Sequence, residues 1–180
     1  MTESRVWRAE AGEIEALRPR LAEILVDCVE HGASVGFLTP LTRADAESYW
    51  ARIGRAVADG RCVLLVGALD GEVCGTVQLD VDTMPNQPHR ATVSKLLVHT
   101  AARRQGLGEA LMAGLESEAA DRGRWLLTLD TATDAAERLY RRLGWNVAGV
   151  IPEYAMNPDS SLTDTVFYWK KLVSSSARPA

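Results

Sequence analysis

The sequence predicts an α/β (α+β) domain of about seven strands and about four helices. Three observations carry this. Residues 62–69 are an unbroken apolar run, the mark of a buried strand, and Asp70-Gly71 then turns the chain into a second strand over 73–81. Residues 92–98 form another apolar strand, which feeds through a basic glycine turn directly into an amphipathic helix over 106–122. The remaining apolar segments alternate between helical and strand spacing, giving the order β-α-α-β-β-β-α-β-α-β-β.

The elements follow in sequence. Residues 5–9 read as a first strand. Residues 13–30 read as a helix, because Leu17, Leu21, Ile24, Leu25 and Cys28 recur at helical spacing; Pro19 inside it marks a kink or a restart. Residues 32–38 are glycine-rich yet carry Val35, Phe37 and Leu38, unusual for a plain surface linker. Thr42 is placed to cap a helix running to Ala58, with Trp50, Ile53 and Val57 on one face. In the helix over 106–122, Leu107, Leu111, Leu115 and Ala119 line one side. A strand spans 125–130. A helix spans 133–143 and Gly144 ends it. Strands follow over 145–151 and 163–172, with a loop over 152–162 between them. The domain occupies 1–173, and the Ser-, Ala- and Pro-rich tail 174–180 is expected to fray.

The chain has 180 residues, 47% apolar and 24% charged, and a net charge of −4. That is enough chain for one sizeable core, and the acidic balance disfavours nucleic-acid or anionic-membrane binding. No apolar run is long enough for a membrane helix, and the start of the chain lacks a leader pattern. The three cysteines, Cys28, Cys62 and Cys74, have no metal-ligand spacing. They read as small apolar residues in a reducing compartment, so no metal is expected and the location implied is cytoplasmic.

A basic turn in an acidic protein is informative. The first N–H groups of a helix lack internal partners, and the helix dipole adds positive charge there. Gly106 and Gly108 let an anion approach the backbone, and Arg103 and Arg104 add donors suited to phosphate oxygens. A Walker loop would need Gly-Lys-Ser/Thr here, and a dinucleotide fingerprint would need a small residue where Leu111 stands. The pattern that remains is Arg103-x-x-Gly106-x-Gly108.

That pattern resembles the pyrophosphate-binding signature of the GNAT acyltransferases, which use acetyl-CoA. A second segment, Ala136 through Tyr140 to Gly144-Trp145, is similar to the family's Ala-x-x-x-Tyr-x-x-x-Gly-aromatic element. The resemblance covers nearly the whole chain and implies a mixed central sheet flanked by helices. It implies that backbone of Leu96, Leu97 and Val98 pairs with pantetheine, with the Val98 N–H as oxyanion donor. It implies that Arg103, Arg104, Gln105, Gly106, Leu107, Gly108, Glu109 and Ala110 wrap the pyrophosphate. Thr133 stands where the family often has a cofactor-contacting Asn, and reads equally as a helix N-cap. Tyr140 is the candidate general acid for the leaving thiolate, against the alternative of a core aromatic.

Many family members carry an acidic residue on the fourth strand, but Thr92 and Ser94 occupy those positions here. Asp130 is then the nearest candidate base, and reads equally as a partner of the following helix start. A water chain would also serve. His31 suits a helix C-terminus without a catalytic role, and His99 lies near the phosphates. No cysteine falls within the two motifs, so an acetyl-enzyme is not expected.

A narrower similarity is to the tabtoxin resistance acetyltransferases, which inactivate a β-lactam amino-acid toxin. It rests on residues 31–37, Lys95-Leu96-Leu97-Val98, Leu129-Asp130-Thr131, Tyr154 and Asn157-Pro158-Asp159. It implies an acceptor site built from Ser34, Val35, Gly36, Phe37 and Tyr154. The activity implied is acetyl transfer to an amine or hydroxyl of a small polar acceptor, by direct attack in a ternary complex, in a monomer or homodimer. Transfer to a peptide or protein, and an acetyl-CoA-binding regulator without turnover, are the alternatives.

Overall fold

The computed structural model describes residues 3–172, so the expectation for the tail 174–180 lies outside the described residues. The elements are β1 (Ser4–Arg8), α1 (Ala11–Glu30), α2 (Arg43–Ala58), β2 (Cys62–Leu69), β3 (Glu72–Asp80), β4 (Arg90–Val98), α3 (Leu107–Asp121), β5 (Leu126–Thr131), α4 (Asp134–Arg142), β6 (Asn146–Met156) and β7 (Leu162–Lys171), with a 3-10 turn over Thr100–Ala102. Their order is the expected one. The strands form a single mixed sheet, β1-β2-β3-β4-β5-β7-β6, in which only the β4–β5 pair is parallel.

Side chains alternate faces along a strand, and β2 shows what this does. Leu64 and Val66 join Trp50, Leu25 and Ile24 under α1 and α2, whereas Val63 and Leu65 join Leu111, Leu115 and Met112 under α3. Both faces are covered, so the run 62–69 is apolar throughout. Thr42 caps α2 by accepting the Asp45 N–H at 3.1 Å. α1 runs through Pro19 as one helix, so of the two expectations there, a kink or a restart, the restart does not occur.

Two glycines seat α3. Gly67 and Gly75 face each other across β2 and β3. A Cβ at Gly67 would lie 2.8 Å from Leu107 Cδ1, and one at Gly75 would lie 2.9 Å from Leu107 Cδ2. Their missing side chains let the first residue of α3 press onto the sheet beside the end of β4.

The expected loop over 152–162 is corrected. β6 continues to Met156, and only residues 157–161 turn. Pro152 sits where the β6–β7 register shifts between Ile151 and Ala155. Glu153 has φ +51° there, and its N–H binds the Asp164 carboxylate at 3.0 Å. β6 is the sheet's edge, and at an edge bulge a proline removes no ladder bond the sheet needs. Among the described residues no helix is long and apolar enough to cross a membrane, and no cluster of His, Cys, Asp and Glu suited to a metal ion occurs.

Candidate active site

The site forms where the sheet opens. β4 and β5 pair only at Arg90, Ala91 and Thr92, and beyond that point the two parallel strands diverge. Divergence starts at a bulge. Ser94 lies opposite Gln78 and Leu97 opposite Thr76, so β4 carries one extra residue between them. Lys95 takes it up with φ +51°, and its carbonyl accepts the hydroxyl of fully buried Thr76 at 3.2 Å. A bulge bends its strand, and here it turns β4 away from β5.

The hydrogen-bond phase of β4 then decides which backbone groups face the gap. His99 N–H donates to the Cys74 carbonyl at 2.8 Å. Closed and open pairs alternate in an antiparallel ladder, so the neighbouring Val98–Gly75 pair is open and Leu97–Thr76 is closed. The Val98 N–H therefore points away from β3, toward the gap. Leu97 turns its N–H and carbonyl to β3 and buries its side chain under α1 and α2. This corrects the expected pantetheine contact at Leu97; Leu96 lines the gap.

Past β4 the chain forms a cradle of backbone N–H groups. Arg104 and Gly106 have φ +63° and +82°, and Leu107, Gly108 and Glu109 open α3 with N–H groups that helical bonding does not use. Such a run of N–H groups is a nest for an anion. A Cβ at Gly108 would meet nothing closer than 3.5 Å, the Leu139 side chain, so the surrounding protein leaves room for one. The Ala110 N–H donates to the Gly106 carbonyl at 3.1 Å, the first bond of the helix. The Leu107 side chain is core, leaving only its backbone for the cradle. Arg103 stays exposed but folds back along the chain, donating from Nε to the Val98 carbonyl at 3.1 Å, and so braces the end of β4. Gln105 Nε2 reaches the Ala101 carbonyl at 3.4 Å, and Glu109 pairs with Arg142 at 3.3 Å.

A cleft of about 510 Å³ occupies the gap. Of the expected residues it brings together Leu96, Asp130, Thr133, Tyr140, Ser34, Val35, Gly36, Phe37 and Tyr154. The loop over 32–38 both touches the core and lines the cleft. Phe37 stands edge-on to Tyr49 at 5.3 Å, and the Thr39 N–H and hydroxyl both donate to the Pro158 carbonyl, which ties the loop to the β6–β7 turn. Tyr154 lies on β6, edge-on to Phe167 at 5.1 Å.

Tyr140 is 6% exposed, tilted against Trp145 and Tyr168 at 5.9 Å each. Its hydroxyl has no hydrogen-bond partner among the described residues. Burial, and then the negative charge of Asp130, push its pKa above the ordinary tyrosine value, so it enters the site as a protonated donor. Tyr168 holds α4 in place, donating to the Glu137 carboxylate at 2.8 Å. Asp130 is exposed at the end of β5 and makes no side-chain hydrogen bond among the described residues. Thr133 takes the N-cap position of α4 without a side-chain cap bond, leaving its hydroxyl to the cleft.

Neither His31 nor His99 lines the cleft. His31 caps α1, and His99 Nδ1 accepts the Ala101 N–H at 3.2 Å while Nε2 lies 3.7 Å from Asp27. Thr92 faces Thr128, hydroxyl to hydroxyl at 3.4 Å. Among the lining residues to which the sequence assigned no site role are Lys95 and Thr165. Lys95 had a legible signal, a lone cation inside an apolar strand. Thr165 on β7 had none; its buried hydroxyl is without a partner.

A sheet split between its two parallel strands, an anion cradle at the next helix and a tyrosine from the following one define an acyltransferase of the GNAT kind. Residues 19–145 match the sequence model of the acetyltransferase (GNAT) family, and the chain belongs to that family. An uncharacterized N-acetyltransferase in the hisH-hisA intergenic region of Azospirillum brasilense is 33% identical over 132 residues, which is 72% of this chain and 74% of that one. Among solved structures, yncA from Salmonella typhimurium with its cofactor acetyl-CoA superposes with a TM-score of 0.77 at 22% identity, covering 98% of each chain. A ribosomal-protein-alanine N-acetyltransferase from Brucella melitensis gives 0.77 at 24% identity, covering 93% of this chain and 99% of that one. At these identities the two structures speak for the fold.

Proposed function

We propose that the protein moves the acetyl group of acetyl-CoA to an amine or hydroxyl of a small polar acceptor by direct attack in a ternary complex. The observation that carries this is the outward-facing Val98 N–H at the mouth of the β4–β5 split, one short turn from the cradle at α3. One element thus offers a donor for a thioester carbonyl, and the next offers N–H groups for a pyrophosphate. Acetyl-CoA supplies an activated acyl group and a thiol leaving group.

The chain's own residues do the rest. The cradle and Arg104 hold negative charge. The Val98 N–H donates to the oxygen that gains charge during attack. Asp130 receives the acceptor's proton, directly or through a water. Tyr140 donates a hydrogen bond where the sulfur leaves, a bond that strengthens as charge develops. Cys28, Cys62 and Cys74 are all buried away from the cleft. Burial pushes the Cys62 thiol up to about 12, with the Asp80 charge adding to the shift. That supports attack without an acetyl-cysteine.

The test is release of CoA thiol from acetyl-CoA with a panel of acceptors: a tabtoxin-type β-lactam amino acid, aminoglycosides, amino acids, polyamines and short peptides. Tyr140→Phe should lower kcat by roughly 100- to 1,000-fold, the scale of a lost acid or charge-stabilising donor, with acetyl-CoA affinity nearly unchanged. An unchanged kcat removes Tyr140 from the mechanism. Acetyl-CoA binding without release from any acceptor favours the regulator instead.

A further inference from the structure

Among the described residues lining the cleft, Lys95 is the one cation and Asp130 the one anion. Lys95 is set up unusually. It sits at the crest of the β4 bulge with φ +51°, a backbone state that disfavours a long side chain and points to a functional constraint. Its Nζ lies 5.9 Å from the Phe37 ring centroid and 5.8 Å from that of Tyr49. A Cβ at Gly36 would come within 3.8 Å of the same nitrogen. The ammonium is thus held by aromatic faces and by the loop over 32–38. Cation–π contact stabilises the charge but supplies no acceptor. No carboxylate lies within ion-pair distance, and no hydrogen bond reaches Nζ from any described residue. Burial pulls its pKa below the usual lysine value, and the Asp130 charge opposes that pull.

No described residue offers the half-buried Lys95 ammonium an acceptor, and a ligand in the cleft would supply one. We propose that Lys95 determines acceptor specificity: its ammonium receives a carboxylate on the acceptor, so the protein acetylates amines that also carry a carboxylate. The inference rests on the acetyl-transfer reading above. The charge count sets the class. One cation matches a single negative charge, whereas a phosphate dianion calls for more donors. A polyamine or aminoglycoside would bring further positive charge against Lys95. Asp130 supplies the opposite pole of the cleft, where the acceptor's amine belongs. The unpartnered hydroxyl of Thr165, on the neighbouring strand, supplies one more polar contact.

The test uses matched acceptors with the full chain and acetyl-CoA: a panel of α-, β- and γ-amino acids and the carboxamide of each. For at least one pair kcat/KM should be roughly 10- to 100-fold higher for the acid, the worth of one charge-assisted hydrogen bond. Lys95→Met should erase that ratio through KM while leaving kcat for the carboxamide and acetyl-CoA affinity in place. Lys95→Arg should restore part of it. Carboxamides or simple amines turned over as well as the acids would overturn the proposal and leave acetyl transfer standing. If nothing in either series releases CoA thiol, the transfer reading fails separately. Calorimetry with acetyl-CoA present then decides Lys95: acids that bind where carboxamides do not support it, and no difference overturns it.

Discussion

Gly75→Ala is the substitution whose consequence is best defined by the packing. Its Cβ would lie 2.9 Å from Leu107 Cδ2, 3.0 Å from Leu111 Cδ1 and 3.1 Å from the Leu97 carbonyl oxygen. The leucine tips can rotate, but the carbonyl belongs to β4 and cannot yield without moving the strand. Overpacking of this kind costs about 1 to 3 kcal/mol. For a chain of this length, that is a fall in Tm of about 2 to 12 °C. Function should suffer too. Leu107 is the first residue of α3, and Gly75 stands opposite Val98, so one methyl disturbs both the cradle and the outward N–H. The expected result is acetyl-CoA affinity weakened about tenfold or more, with the change converting at about 1.4 kcal/mol per decade. Gly67→Ala is the control, because all three atoms near its Cβ belong to leucine side chains and none to backbone, so its effect should be smaller. Thermal unfolding and equilibrium acetyl-CoA titration of both variants decide the matter. A Gly75→Ala protein with native Tm and native affinity would refute the claim that these glycines seat the helix.

Two further outcomes are expected. Burial raises the pKa of Asp27, but hydrogen bonds from the Thr100 N–H and hydroxyl, at 2.8 and 2.7 Å, together with the charges of His99 and His31, outweigh it, and the net shift is downward. A depressed carboxyl contributes stability that is present above its unfolded pKa of about 3.9 and is lost as pH falls through the folded value. Asp27→Asn should therefore lower stability at neutral pH by about 1 to 2 kcal/mol and flatten its loss in the acid limb. Denaturant melts from pH 7 downward measure this, and identical acid limbs in the two proteins would discard it. The three thiols are buried, and burial raises the pKa of each. A thiol reagent at neutral pH should thus react slowly with the folded chain and fully only after unfolding. Rapid labelling of the native protein would contradict that placement.

The parts of the site legible beforehand are those whose geometry is local. A strand followed by Arg103, then Gly106 and Gly108 before an apolar helix, needs no distant residue to present a row of backbone N–H groups. Tyr140 and Gly144 are likewise set by one helix and its termination. The elements β2, β3 and α2 could be read for the same reason: an unbroken apolar run, an Asp-Gly turn and a Thr cap are statements about near neighbours.

What only the tertiary structure decided is register and its consequences. The extra residue at Lys95 exists only relative to Gln78 and Thr76 on β3. From that one mismatch follow the split from β5, the outward Val98 N–H and the inward Leu97. Period-two spacing along β4 alone cannot show where a partner strand slips. Residues 152–162 read as a loop because the place of Pro152 in an edge bulge depends on β6 having no outer neighbour in the sheet. Thr165 reaches the cleft because β7 crosses between β5 and β6. The sequence by itself determined the family and its cradle, through short-range constraints on backbone and capping. The acceptor side, where Lys95 faces Phe37 and Tyr49, was decided by contacts between segments far apart in the chain, and no local pattern encodes those.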